Sequence, residues 1–289
     1  MVCESDSLTF RTSLITRLSQ LTQNGQAMSH LKIEQKGAVI HLTMNRPEKH
    51  NAFNPELIAE LTRAFRTAGE DDSVRVVVLA GEGKSFSAGA DLEWMKSQGE
   101  ATFEENLSSS LEMGELFQAI DRCPKPVVAK IQGAALGGGS GLVASVDIAI
   151  AGPKALFGFT EVRLGLVAAV ISPFVIRRLG YSVAREKFLT GVRFGAQEAL
   201  RVGLVHKVSE NLEEETSEVV QALLQGSPQA QAASKRLVAE IWDLPESEQL
   251  AASARYIARA RASSDGREGL SAFLEKRPPD WFAPSDSAP

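Results

Sequence analysis

The interpretable part of the chain opens with apolar and polar residues in alternation. Leu31-Lys32-Ile33-Glu34 and Val39 to Met44 follow a period of two and read as paired strands turning at Lys36-Gly37. Asn45 to His50 reads as a loop. Asn54-Pro55 then opens a helix, with Asn54 at the cap and Pro55 as its first residue. Leu57, Ile58, Leu61, Ala64 and Phe65 recur there at helical spacing. Val74 to Ala80 is a nearly unbroken apolar run, as expected of a strand covered on both faces. Leu107 to Ile120 returns to the helical period, and Pro126 to Ile131 and Asp147 to Ala151 supply two more buried strands. Strands alternating with helices predict an α/β fold. Beyond Pro173 the pattern turns helical. Helices are expected at Val183–Thr190 (capped by Ser182, stopped by Gly191), Ala196–Val202, from Ser227-Pro228, at Arg255–Ser264 and at Gly269–Lys276. A short strand, Leu204 to Val208, is expected among them.

Two glycine-containing segments interrupt this pattern. Ser87-Ala88-Gly89-Ala90-Asp91 and Gly137-Gly138-Gly139-Ser140-Gly141 each follow a strand-like run and lead into a helix-like stretch. Small residues at such junctions leave backbone N–H groups uncovered. Two such donors aimed at one point would stabilise an oxygen that gains charge during a reaction. A tight turn with close packing would also select glycine at 137–141, and the pairing with 87–91 favours the functional reading. Gly81-Glu82-Gly83-Lys84-Ser85 is not a phosphate loop, because the glycine required five positions before Gly83 is Val78. A dinucleotide fingerprint from Gly137 fails at Leu142, and one from Gly138 fails at Ser140.

Glu161 lies among Phe157, Phe159, Val162 and the apolar stretch Leu164 to Ile171. A carboxylate in that company ionises less readily than in water, which suits a proton carrier. Its competing reading is an exposed carboxylate beginning a turn. Asp91 reads mainly as the cap of the helix starting at Leu92.

Composition narrows the function classes. The 289 residues are 44% hydrophobic and 23% charged, so a folded globular chain with one large domain, or a domain with an appendage, is expected. A net charge of −5 gives no general attraction to nucleic acid or an anionic membrane, and neither partner is expected. Cys3 and Cys123 lack metal-site spacing, and His30, His41, His50 and His206 do not cluster, so no metal is expected. No apolar run has the length of a membrane span. Residues 1–27 read as a polar leader, 28–215 as the core carrying the site, and 216–289 as a helical region. The weak targeting character of Thr9 to Gln26 is outweighed by Glu4 and Asp6, and a cytoplasmic location is expected.

Six segments taken together carry a resemblance. They are Asn45-Arg46-Pro47 with Asn51-Ala52, Phe86 to Leu92, Gly133 to Gly139, Asp147 to Ala151, Phe157 to Gly165, and Phe273 to Pro279. From about Leu31 to its end the chain resembles the crotonase (enoyl-CoA hydratase/isomerase) superfamily. The resemblance implies a spiral of ββα turns and a helical C-terminal region that joins subunits into a trimer, with two trimers commonly stacked as a hexamer. It implies an acyl-CoA thioester substrate, coenzyme A being part of the substrate rather than a separate cofactor. By position, the N–H groups of Ala90 and Gly138 would be the oxyanion donors and Glu161 the catalytic acid–base. Lys49, Ala88 and Asp91 fall in stretches that line the coenzyme A site of relatives. Lys276 falls where relatives bring a basic residue near a coenzyme A phosphate, across subunits.

One departure stands out. Hydratases of the best-known type carry two glutamates. The second matches Glu161, and the first falls at Gly141. Room at Gly141 is expected to admit substrate or a second water. In Ser87 to Met95, Gly139 to Leu142 and Ala169 to Pro173 the chain is most similar to bacterial methylglutaconyl-CoA hydratases, which act in leucine degradation and also lack the first glutamate. The resemblance therefore implies hydration of a 2-enoyl-CoA, with double-bond isomerisation by the single glutamate as the alternative. A relative that binds acyl-CoA or RNA without catalysis is the third reading.

Overall fold

The computed structural model describes residues 30–282. The leader expected at 1–27, with Cys3, lies outside the described residues. Among the described residues, nine strands run β1 Leu31–Lys36, β2 Val39–Met44, β3 Val76–Gly81, β4 Val127–Ile131, β5 Ala134–Leu136, β6 Ile148–Ala151, β7 Leu156–Gly158, β8 Phe194–Gly195 and β9 Lys207–Val208. The helices are α1 Pro55–Glu70, α2 Leu92–Glu100, α3 Phe103–Asp121, α4 Gly138–Ser145, α5 Ser172–Thr190, α6 Ala196–Arg201, α7 Leu212–Leu224, α8 Pro228–Asp243, α9 Glu246–Ala262 and α10 Ser264–Glu275.

A main sheet has the order β1-β2-β3-β4-β6-β9, and a smaller one the order β5-β7-β8. The β1/β2 hairpin is antiparallel, pairing Lys36 with Val39 across Gly37, whose φ of 56° only glycine adopts freely. From β2 to β9 the main sheet is parallel. Alternation within β3 explains its apolar run. Val77 and Leu79 pack with Leu57, Leu61 and Phe65 of α1 and Leu116 and Phe117 of α3. Val76 and Val78 point the other way and meet Val220 of α7. Both faces are covered, so both sets of positions are apolar.

The cap expected at Asn54 forms, and a second one is present at Thr102. Asn54 accepts from the Leu57 amide at the start of α1, and Thr102 forms a reciprocal capping box with Glu105 at the start of α3. Several expectations shift. The helices expected at 255–264 and 269–276 begin earlier, at Glu246 and Ser264. The helix expected at 183–190 is the second half of α5, which begins at Ser172 and kinks at Gly180 (φ 75°, ψ 164°), so Ser182 lies inside the helix rather than capping it. The strand expected at 204–208 reduces to Lys207–Val208, because the Leu204 amide turns back to the Ala199 carbonyl. No described helix is long and apolar enough to cross a membrane.

Candidate active site

Main-chain pairing sets the first donor. Phe53 N–H donates to Gly89 O at 2.7 Å, and Asp91 N–H donates to Phe53 O at 2.8 Å. In a parallel pairing the residue between those two partners turns its own N–H and C=O to the opposite side. Ala90 is that residue. Its half-buried amide therefore faces away from Phe53 and has no acceptor among the described residues.

Helix geometry sets the second. Gly138 begins α4, so its N–H has no intrahelical partner. Its neighbours are engaged, Gly137 N–H with Gly158 O and Gly141 N–H with Gly137 O. The positive end of the α4 dipole lies at Gly138.

The two segments lie side by side. Ser87 N–H donates to Ala134 O at 3.0 Å, and Leu136 N–H donates to Ser87 O at 2.9 Å. A methyl group added at Gly89 (φ 92°) would stand 2.9 Å from Leu136 O and 3.7 Å from Gly138 N. One added at Gly138 would stand 2.6 Å from Phe53 Cε2, and one at Gly139 would overlap Ser87 O. Glycine is required here by close approach as well as by conformation.

A polar frame holds the first segment. Arg46 Nη2 donates to Asp91 Oδ2 at 2.9 Å, and Arg46 Nη1 donates to Ala52 O. Asp91 Oδ1 accepts from the Glu93 amide and caps α2. Both Asp91 oxygens are thus engaged within the protein. Burial alone would push the Asp91 carboxyl up, but the Arg46 guanidinium and Glu93 amide outweigh it and hold the carboxyl below its usual range. Asn51 ties Arg46 N–H to the carbonyls of Glu82 and Ser85.

Glu161 opens a 3-10 turn, Glu161–Leu164. Its Oε1 lies 3.2 Å from the place a methyl group would occupy at Gly137. Oε2 is buried without a hydrogen-bond partner. Burial pushes the carboxyl above its ordinary value of 4.5. Glu161 borders a cavity of about 310 Å³ shared with Phe159, Leu166, Ala169, Ser172 and Phe188. Apart from Glu161 the cavity lining bears no charged side chain.

The room expected at Gly141 is filled, which corrects the sequence reading. A methyl group there would stand 3.0 Å from Ile171 Cβ and 3.1 Å from Phe117 Cε1, and closer still to Ile171 Cγ2. Gly141 is buried and admits neither substrate nor a second water. The other expected residues lie at or near the protein surface. Lys49 is exposed and forms an ion pair with Glu93 at 3.5 Å. Half-buried Ala88 donates its amide to His50 O. Lys276 is exposed, in the left-handed conformation that ends α10. No group of three or more His, Cys, Asp or Glu side chains able to hold a metal occurs among the described residues.

Sequence reasoning left three residues without a role. Phe53 underlies Gly138, Arg46 tethers Asp91, and Ile171 fills the space at Gly141. Arg46 and Ile171 stand in segments the sequence singles out, and nothing in those segments shows their partners.

Residues 34–284 match the family Enoyl-CoA hydratase/isomerase. The chain is similar to 2,3-dehydroadipyl-CoA hydratase of Escherichia coli K12, with 33% identity over 88% of this chain and 99% of that protein. It is similar to enoyl-CoA hydratase ACTT6 of Alternaria alternata, with 34% identity over 86% of each. A crystal structure of an enoyl-CoA hydratase from Shewanella pealeana superposes with a TM-score of 0.88 and 39% identity, covering 92% of this chain and 100% of that one. The mixed α/β architecture and its C-terminal helices match that crotonase-fold relative. The chain belongs to the enoyl-CoA hydratase/isomerase family.

Proposed function

We propose that this protein adds water across the double bond of a 2-enoyl-CoA thioester. The observation that carries the reading is the Glu161 carboxylate beside Gly137, one residue from an amide with no acceptor of its own. The thioester oxygen would sit between the N–H groups of Ala90 and Gly138. As water adds to the β-carbon, charge moves onto that oxygen, where donors fixed in advance are worth most. Glu161 takes the proton from the attacking water, and its raised pKa brings it closer to the proton it must later return. Lys49, Ala88 and the main chain at Asp91 would lie along the coenzyme A moiety.

For the acyl group we propose a branched or dicarboxylic chain such as methylglutaconyl. The supports are the likeness to hydratases lacking the first glutamate and the dicarboxylic substrate in the name of the E. coli relative. The cavity lining supplies no cation, so a second carboxylate would lie toward its open side at exposed Leu166 and Val167. We also propose a cytoplasmic homotrimer or homohexamer. Trp242, Leu250, Phe273 and Leu274 are left exposed on α8 to α10 of the single chain, which suits subunit contact.

The test is turnover of straight, branched and dicarboxylic 2-enoyl-CoAs by the parent and Glu161→Gln. Hydration by the parent, with loss of turnover but retained coenzyme A binding in the variant, is expected. Near-parental hydration by Glu161→Gln would overturn the assignment. A second reading, double-bond migration, is favoured by the single carboxylate at the site. Migration in a 3-enoyl-CoA without water incorporation would select it.

A further inference from the structure

The turn of α4 that begins at Gly137 reaches Gly141 four residues on, a rise of about 6 Å. The two glycines meet different neighbours. At Gly137 the neighbour is the Glu161 carboxylate, and at Gly141 it is Ile171, with Phe117 on a second side. Ile171 is 3% exposed and Phe117 fully buried. Isoleucine branches at Cβ, so its obstructing methyl group moves only by disturbing a stiff rotamer. Phe117 is held between the rings of Phe53 and Phe174, at centroid distances of 6.4 and 5.8 Å. Neither side of Gly141 yields cheaply in a close-packed interior.

Building on the proposed hydration, we propose that Ile171 is the residue that restricts this site to one carboxylate. It occupies the volume through which a second acid, or a water, one turn along α4 would approach the acyl carbons. Both proton transfers then pass through Glu161. In the first, an O–H bond of water breaks. The proton goes to Glu161, the oxygen bonds to the β-carbon, and the double-bond electron pair moves toward the thioester oxygen. In the second, the enolate collapses and the α-carbon takes that proton from Glu161. One water is consumed, the carboxylate is restored, and no electrons are exchanged with any other group.

The test uses the full chain and three variants: Gly141→Glu, Ile171→Gly and the double. Gly141→Glu should melt roughly 4–10 °C below the parent, or fail to fold. The double variant should return to within a few degrees of Ile171→Gly. Its pH profile of kcat/KM on crotonyl-CoA should gain a second ionisation. If Ile171→Gly does not fold, Ile171→Ala takes its place in both. The proposal fails if Gly141→Glu melts with the parent, if the double is no more stable than Gly141→Glu, or if the double folds and keeps one ionisation. Absence of hydration by the parent would instead remove the proposed reaction, and the melting data would still judge whether Ile171 fills the position.

Discussion

Glu161 Oε1 stands 3.2 Å from the place a side chain would begin at Gly137, while Glu161 Oε2 is buried with no partner. A base so placed must be ionised to act, and burial raises the pH at which it ionises. The acid limb of kcat/KM should therefore lie above the ordinary value of 4.5. Glu161→Gln should lower turnover by about 10²–10⁴. A pH–rate profile of the parent and steady-state kinetics of the variant check both.

The same shift predicts a stability difference. A carboxyl whose folded-state pKa is raised favours the folded state in its protonated form. That contribution is whole below the unfolded value, about 4.3, and is lost as pH rises through the raised folded value. Glu161→Gln stays neutral throughout. It should melt above the parent at pH 7, with the gap closing below about pH 4. Thermal melts at several pH values measure this, and a gap that widens on acidification would contradict the burial argument.

Arg46 and Asp91 form a nearly enclosed pair at 2.9 Å, with side chains 10% and 4% exposed. Removing either partner leaves a buried charge, at a cost of about 3–5 kcal/mol. Arg46→Met and Asp91→Leu should each be strongly destabilised, and the double variant less so than their sum. Because the pair adjoins Ala90, the double should also keep a kcat deficit after its stability is recovered. Denaturant melts and kinetics on the three variants separate the two effects.

Gly138 and Gly139 should differ in their tolerance of a methyl group. At 138 the obstacle is the Phe53 ring, at 2.6 Å from its Cε2, and at 139 it is the Ser87 carbonyl of the main chain. A ring can tilt, whereas a carbonyl in a hydrogen-bonded pairing moves its whole segment. Gly138→Ala should fold with an overpacking penalty of about 1–3 kcal/mol and reduced kcat. Gly139→Ala should cost more and reach soluble yield poorly. Equal melting temperatures for the two would contradict this ranking.

The exposed α10 side chains bear on assembly. Phe273 and Leu274 are each about four-fifths exposed in the single chain. If the proposed trimer or hexamer forms through α10, Phe273→Asp with Leu274→Asp should shift the sedimentation coefficient toward the monomer. An unchanged coefficient would remove α10 from the interface.

The parts of the fold legible in the sequence are those written in local pattern. β3 and β4 appear as apolar runs because helices cover both faces, β2 appears as an alternation, and α1 appears through Asn54-Pro55 and its stripe. β5 and β7 leave no such mark, being three residues each of small or mixed side chains. The first half of α9 was hidden because it starts after Pro245 without a side-chain cap and is polar and alanine-rich. α7 was missed although Asn211 caps it. At the site, bare amides and a half-buried acid could be read from glycine spacing and apolar neighbours. Gly141 was misjudged because Ile171, thirty positions later, fills its space, and no periodicity connects the two. The Arg46–Asp91 pair spans 45 positions and was hidden for the same reason.

The hydrogen bonds linking Ser87 to Ala134 and Leu136 are made wholly by the polypeptide backbone. The strand-like link between the two glycine segments is therefore carried by the main chain. The stretch from Val162 to Ser172 borders the cavity at Glu161 and takes no part in that lashing. Residues 166–169 of that stretch can therefore change the shape of the cavity while the main-chain pairing keeps its register.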